Sequence, residues 1–198
     1  FTIDNTAPTV TLTDSDSDNL VSGSNVVTIT ATFSESIAAN PTINITGEIS
    51  DALMTASSTA SVWIYPWTVS TTTSGIVSVT VAGEDLAGND YVAGTQSITF
   101  TIDNTVPTVT LTDTDSDNLV SSSSIVTITA TFSESMEASP SISISDSVSN
   151  VTMTASSTAN TWFYRWLVDE SFDGIGYATV SGSDTSGNTY TGTDSITF

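Results

Sequence analysis

The sequence contains no cysteine, no histidine and a single basic residue, Arg165, against 22 Asp and Glu. Without Cys, no disulfide staples a core and no thiolate holds a soft metal. With Cys and His both missing, the activated thiol, the usual general base and the imidazole ligand are gone, and a Ser/His/Asp arrangement cannot be built. The expectation is a protein that is not an enzyme. The scarcity of Lys and Arg argues against nucleic acid as a partner, because phosphate binding needs cations that displace counterions. It argues equally against an anionic membrane surface. No apolar run approaches the ~20 residues of a membrane-spanning helix, so no membrane insertion is expected in this segment. No basic-then-apolar leader opens the chain either, and signals or anchors are expected outside it.

What is present is a copy. Phe1 to Ser36 recurs as Phe100 to Ser135 at a spacing of 99 residues, differing only at Ala7/Val106, Ser15/Thr114, Gly23/Ser122, Asn25/Ser124 and Val26/Ile125. Two units are therefore expected, 1–102 and 103–198, with 1–5 read as the end of a preceding strand plus linker. Each is long enough for one modest two-layer core. The opening Phe1-Thr2-Ile3 matches Phe100-Thr101-Ile102, and the closing Ser195-Ile196-Thr197-Phe198 matches Ser97-Ile98-Thr99-Phe100. That reads as two units of a longer array, whose first partners are further copies of the same repeat.

Within each unit the apolar residues alternate with Thr and Ser at a period of two, with no helical period. In the first unit this predicts strands A at Thr9–Thr13, B at Val26–Phe33, C around Ile43 and Ile45, D at Leu53–Ala56, E at Val62–Val69, F at Ile76–Val81 and G at Gln96–Ile102. Asp14–Asn25 and Gly47–Asp51 read as loops. The fold class that follows is all-β, two tandem seven-stranded β-sandwiches.

The order Asp-Asn-Thr-x-Pro, a strand ending Phe-Ser-Glu, then Asp-x-x-Gly-Asn before the last strand resembles the bacterial immunoglobulin-like repeats of large cell-surface adhesins. The resemblance spans the whole chain. It implies immunoglobulin-like sandwiches in tandem, an extracellular location at the cell surface or in secretion, and Ca²⁺ at domain junctions.

A sandwich of this topology gathers the start of A with the BC and FG loops at one pole. In the second unit that collects Asp103, Asn104, Glu134, Asp184 and Asn188; in the first, Asp4, Asn5, Glu35, Asp85 and Asn89. Acidic and amide oxygens with no basic neighbour repel one another, whereas Ca²⁺ takes six to eight such oxygens. The competing reading is that these Asp and Asn residues cap their own turns. The AB loop offers a second set, Asp14, Asp16 and Asp18 with the copy Asp113, Asp115 and Asp117, which lacks the Gly and Glu of an EF-hand loop. It is read either as ion ligands or as a solvated acidic loop. The net charge of −21 fits bound cations or plain solubility in salt.

Strand E alternates Trp63, Tyr65 and Trp67 with Val62, Ile64 and Pro66; its copy alternates Trp162, Tyr164 and Trp166 with Phe163, Arg165 and Leu167. The Trp and Tyr set is expected in the core. Ile64, Phe163, Arg165 and Leu167 would then face outward, as a possible contact with neighbouring chains in an assembly. The function expected is cell adhesion, as a calcium-stiffened stalk of repeats. The alternative is a structural subunit of an extracellular filament or surface layer with lateral contacts between repeats.

Overall fold

The computed structural model of the chain describes residues 2–92 and 94–198. The strand end expected at 1–5 falls partly outside these: Phe1 is not described, and residues 2–5 lie in no strand. The chain forms two compact units, Phe1–Asn104 and Thr105–Phe198. The boundary lies two residues later than the repeat suggests, because the Asp103 N–H donates to Val21 O at 2.9 Å and Asn104 is hydrogen-bonded to loops of the first unit.

All the regular structure among the described residues is β. The first unit has β1 (Val10–Asp14), β2 (Leu20–Val21), β3 (Val26–Phe33), β4 (Thr42–Ile45), β5 (Ile49–Leu53), β6 (Thr55–Ala56), β7 (Val62–Thr68), β8 (Gly75–Ala82) and β9 (Ile98–Ile102). They make a four-stranded sheet β1-β3-β7-β6 and a five-stranded sheet β2-β9-β8-β4-β5. The second unit has β10 (Val109–Asp113), β11 (Ile125–Phe132), β12 (Ser141–Ile144), β13 (Val148–Thr152), β14 (Thr154–Ala155), β15 (Thr161–Leu167), β16 (Tyr177–Ser181) and β17 (Ser195–Thr197). Its sheets are β10-β11-β15-β14 and β13-β12-β16-β17. The strand count therefore exceeds seven per unit. Ile49–Asp51 begins a strand where a loop was expected, and Leu20–Val21 forms a short strand inside the AB loop.

The period-two pattern sets which side chains go inside. In β3, Val27, Ile29, Ala31 and Phe33 are buried, and Thr28, Thr30 and Thr32 take the other face, where β-branching suits the pleat. In the first unit the two sheets share one core, with Ile29 and Trp67 from one packed in a cluster with Ile43, Ile45, Val79 and Phe100 from the other. Trp67 meets Phe100 at 5.4 Å between ring centroids. The indole N–H of Trp67 donates to Glu48 at 3.3 Å, and that of Trp166 to Ser147 at 2.9 Å, so these two deeply buried rings keep a polar partner, whereas the buried Trp63 N–H has none among the described residues.

One difference between the cores is compensated locally. The repeat aligns Thr73 with Phe172 and the buried Val77 with Gly176. A Cβ on Gly176 would lie 2.8 Å from the Phe172 ring, so this ring fills the volume that Val77 fills in the first unit. Phe172 also stacks edge-on against Trp166 at 5.4 Å.

Candidate metal centre

The segment 2–9 forms no strand, and it is pinned to the turn after β3 by a reciprocal pair. The Thr9 N–H donates to Ser34 Oγ at 3.0 Å, and the Ser34 N–H to Thr9 O at 2.9 Å. Glu35 follows directly. The loop after β8 is shaped by a carboxylate: Asp85 Oδ1 accepts the N–H groups of Ala87 at 2.8 Å and Asn89 at 2.9 Å, while its Oδ2 accepts the Asn89 side-chain amide at 2.8 Å. Bridges between Ile37 and Asp85 and between Glu84 and Asp90 fasten this loop beside the Glu35 turn. The Asn89 amide also donates to Asp4 O at 3.2 Å, which draws the opening segment in.

As a result, Asp4, Glu35 and Asp85 each present an oxygen within 4.8 Å of the others. Asp4 is exposed, Glu35 half-buried and Asp85 buried. Charge accumulates here without relief from the protein, because the only Lys or Arg side chain in the sequence is Arg165 of the other unit. Loss of solvent around Glu35, followed by the charges of Asp4 and Asp85, raises its pKa above the ordinary 4.5. The pKa of Asp85 is lowered below the ordinary 3.8, first by the Asn89 side-chain amide and then by the backbone N–H of Asn89. Asp85 is thus built to stay ionised, and Glu35 carries the cost of the crowding.

The second unit rebuilds the same loop. Asp184 is buried; its Oδ1 accepts the N–H groups of Ser186 and Asn188 at 2.8 Å each, and its Oδ2 the Asn188 side-chain amide at 2.9 Å. Met136 bridges to Asp184 as Ile37 does to Asp85, and Ser133 Oγ accepts the Thr108 N–H at 2.9 Å. Glu134 is half-buried in this turn. The third member of the set expected from the sequence, Asp103, belongs to the first unit.

Other expected ligands sit elsewhere. Asn89 and Asn188 turn their amide N–H groups toward the aspartates, so they position the carboxylates. Asn5 is exposed. Asn104 Oδ1 accepts the Gly23 N–H at 2.5 Å, and its amide donates to Ser70 O and Thr73 O. It joins two loops at the far end of the first unit from Glu35. The signal for this role was in the repeat: Gly23 is one of the five differing positions, and a Cβ there would lie 2.7 Å from Thr71 Cα and 2.9 Å from Asn104 Oδ1.

The alternating aspartates of the AB loops cap their own turns. Asp14 accepts the Asp16 N–H at 2.9 Å, Asp16 the Asn19 N–H at 2.6 Å, and Asp18 the Leu20 N–H at 3.1 Å. In the copy, Asp113 accepts the Asp115 N–H at 2.7 Å, and Asp115 and Asp117 both accept the Leu119 N–H at 3.2 Å. Among the described residues, they belong to no group of three acidic side chains close enough to share an ion. On the aromatic strand, Trp67 and Trp166 are buried, and Tyr65, Trp162 and Tyr164 pack on the cores. Ile64 and Phe163 are half-buried, opposite Thr55 and Thr154 in the ladder, whereas Arg165 and Leu167 are exposed. No protein-family model matches the chain, and no curated protein is significantly similar to it.

Proposed function

We propose that these units are immunoglobulin-like repeats held rigid by Ca²⁺, forming part of the stalk of an extracellular adhesin. The observation that carries this reading is the meeting of Asp4, Glu35 and Asp85 within 4.8 Å in a unit without a basic side chain. The donors are all oxygen and anionic, with no nitrogen or sulfur ligand, which fits a hard divalent cation and not zinc or copper. Ca²⁺ suits the set better than Mg²⁺, because it tolerates irregular carboxylate geometry.

In the first unit such an ion would be held by Asp4 of the opening segment, Glu35 of the turn after β3 and Asp85 of the loop after β8. Its positive charge would offset both the desolvation of Glu35 and the repulsion from Asp4 and Asp85 that together raise the Glu35 pKa. The spacing of 99 residues carries the same triad to Asp103, Glu134 and Asp184. Asp103 is bonded through its backbone to the first unit, and Glu134 and Asp184 belong to the second. Repetition along an array of units each stiffened by an ion yields a spacer. The near-identity of the copies favours a spacer, since a specific binding site gains little from such uniform duplication.

Calorimetry with Ca²⁺, with Mg²⁺ and with chelator tests this. At a free Ca²⁺ concentration about 100 times Kd, binding to the native state stabilises by about 2.7 kcal/mol. For a unit of this size that raises Tm by about 10 °C or more. A melting curve indifferent to Ca²⁺ and chelator, in a protein whose Asp85→Asn and Asp184→Asn variants also behave alike, excludes the calcium-stiffened stalk.

A further inference from the structure

The edge strands of the two units are guarded by different chemistry. β5 and β13 are the outermost strands of their sheets, beside β4 and β12, where unpaired main-chain groups invite another strand. The repeat aligns Asp51, Ala52 and Leu53 of β5 with Asn150, Val151 and Thr152 of β13. Asp51 and Asn150 hold the same backbone position, at φ of 49° and 50°. In the first unit this position places an exposed carboxylate on the edge. In the second, Val148–Thr152 carries no charge and leaves Val151 40% exposed.

Two of these replacements, Asn150 for Asp51 and Thr152 for Leu53, together create Asn-Val-Thr, the acceptor pattern for N-linked glycans. The sequence holds one other such triplet, Asn44-Ile45-Thr46; Asn40-Pro41-Thr42 is excluded by its proline. The fold treats the two triplets in opposite ways. Asn44 is half-buried on β4, where its side-chain amide donates to Asp51 Oδ1 at 3.1 Å and its Oδ1 accepts the Asp51 N–H at 3.0 Å. Thr46 Oγ1 donates to Ser78 O at 3.3 Å. Both side chains that a transferase must engage are thus occupied.

Asn150 is exposed, on the strand whose register with β12 slips. Its Oδ1 accepts the Ser141 hydroxyl at 2.6 Å and its main-chain N–H donates to Ser143 Oγ at 2.9 Å, which fixes the residue from one side. Thr152 pairs with that same Ser141 in the ladder, so amide and hydroxyl lie on one face. Asn150 Nδ2 and the exposed Thr152 hydroxyl have no partner among the described residues.

We propose that Asn150 is an N-glycan acceptor and that Asn44, in the folded chain, is not. The donor class is a sugar activated at its anomeric carbon by a phosphate ester. A bond forms between that carbon and Asn150 Nδ2, the bond from the carbon to the phosphate oxygen breaks, and the phosphate leaves with the electron pair. The amide gives up one proton to the transferase. The attached glycan covers the β13 edge, as the charge of Asp51 blunts β5. None of the residues assigned to the metal centre takes part, so this inference is independent of the cation reading.

Two measurements test it. In protein from its native source, peptide mapping by mass is expected to find a glycan on the peptide containing Asn150 and none on the peptide containing Asn44. A bare Asn150 overturns the proposal, and so does a glycan on Asn44. In the second, the folded 198-residue chain is offered to a soluble N-glycosyltransferase with UDP-glucose, and in parallel to a membrane oligosaccharyltransferase with its lipid-linked donor. Intact mass should show a single addition in the wild type and in Asn44→Gln, and none in Asn150→Gln or Thr152→Ala. The arm that gives the addition identifies the donor. Failure in both arms, or an addition that survives Asn150→Gln, overturns the assignment.

Discussion

Glu35 and Asp85 answer the same surroundings in opposite senses, and this gives the metal-free protein a pH signature. Asp85 has a lowered pKa, so its contribution to stability is complete above 3.8 and is lost as pH falls through the depressed value. Glu35 has a raised pKa, so its ionised form costs stability at neutral pH, and protonation relieves that cost as pH falls toward 4.5. In chelator, Tm is expected to rise as pH drops toward 4.5 and to fall below 3.8. Glu35→Gln should start higher at neutral pH and show a smaller rise; an undiminished rise assigns the effect to other carboxylates. Gly23 carries a second prediction at this scale. Gly23→Ala forces a methyl against Thr71 and Asn104 and should cost about 1–3 kcal/mol in urea denaturation. Ser122→Ala at the exposed equivalent should stay within about 0.5 kcal/mol. Which residues gather was legible from topology, since Asp4, Glu35 and Asp85 lie on connections expected at one pole. The direction of Asn89 and Asn104 was not, because an amide offers both donors and an acceptor and only the neighbours decide between them.

Among the strands, β3 matches its predicted bounds because strict alternation of apolar residues with Thr leaves a single register. β5 escaped because Ile49–Leu53 carries Ser50 and Asp51 on a half-exposed edge, with Asp51 at a φ of 49° where the pairing with β4 slips. The two-residue β2 has too few side chains for a period; its existence depends on β9 lying alongside. Phe172 and Gly176 make the element-scale prediction. Gly176→Val alone overpacks against the ring, and Phe172→Thr alone empties the space, each costing about 1–3 kcal/mol. The double variant restores the pairing of Thr73 with Val77 and should recover a coupling energy of about 0.5–3 kcal/mol in a double-mutant cycle. Additive losses would mean that the two side chains do not share one volume.

For the molecule as a whole, 22 acidic residues against one basic residue make self-repulsion the dominant long-range term. In chelator, raising NaCl from about 0.01 M to about 0.1 M shortens the Debye length from ~30 to ~10 Å, and Tm should climb. A flat calorimetric response over that range would show that the charges are too dispersed to oppose folding. The pairing of β2 with β9 also has a mechanical meaning. β2 lies early in that unit and β9 ends it, and the two run parallel. A pull on the unit's two ends therefore drags these strands in opposite directions along a common axis. Their hydrogen bonds share the load in shear and must yield together, instead of peeling open one at a time.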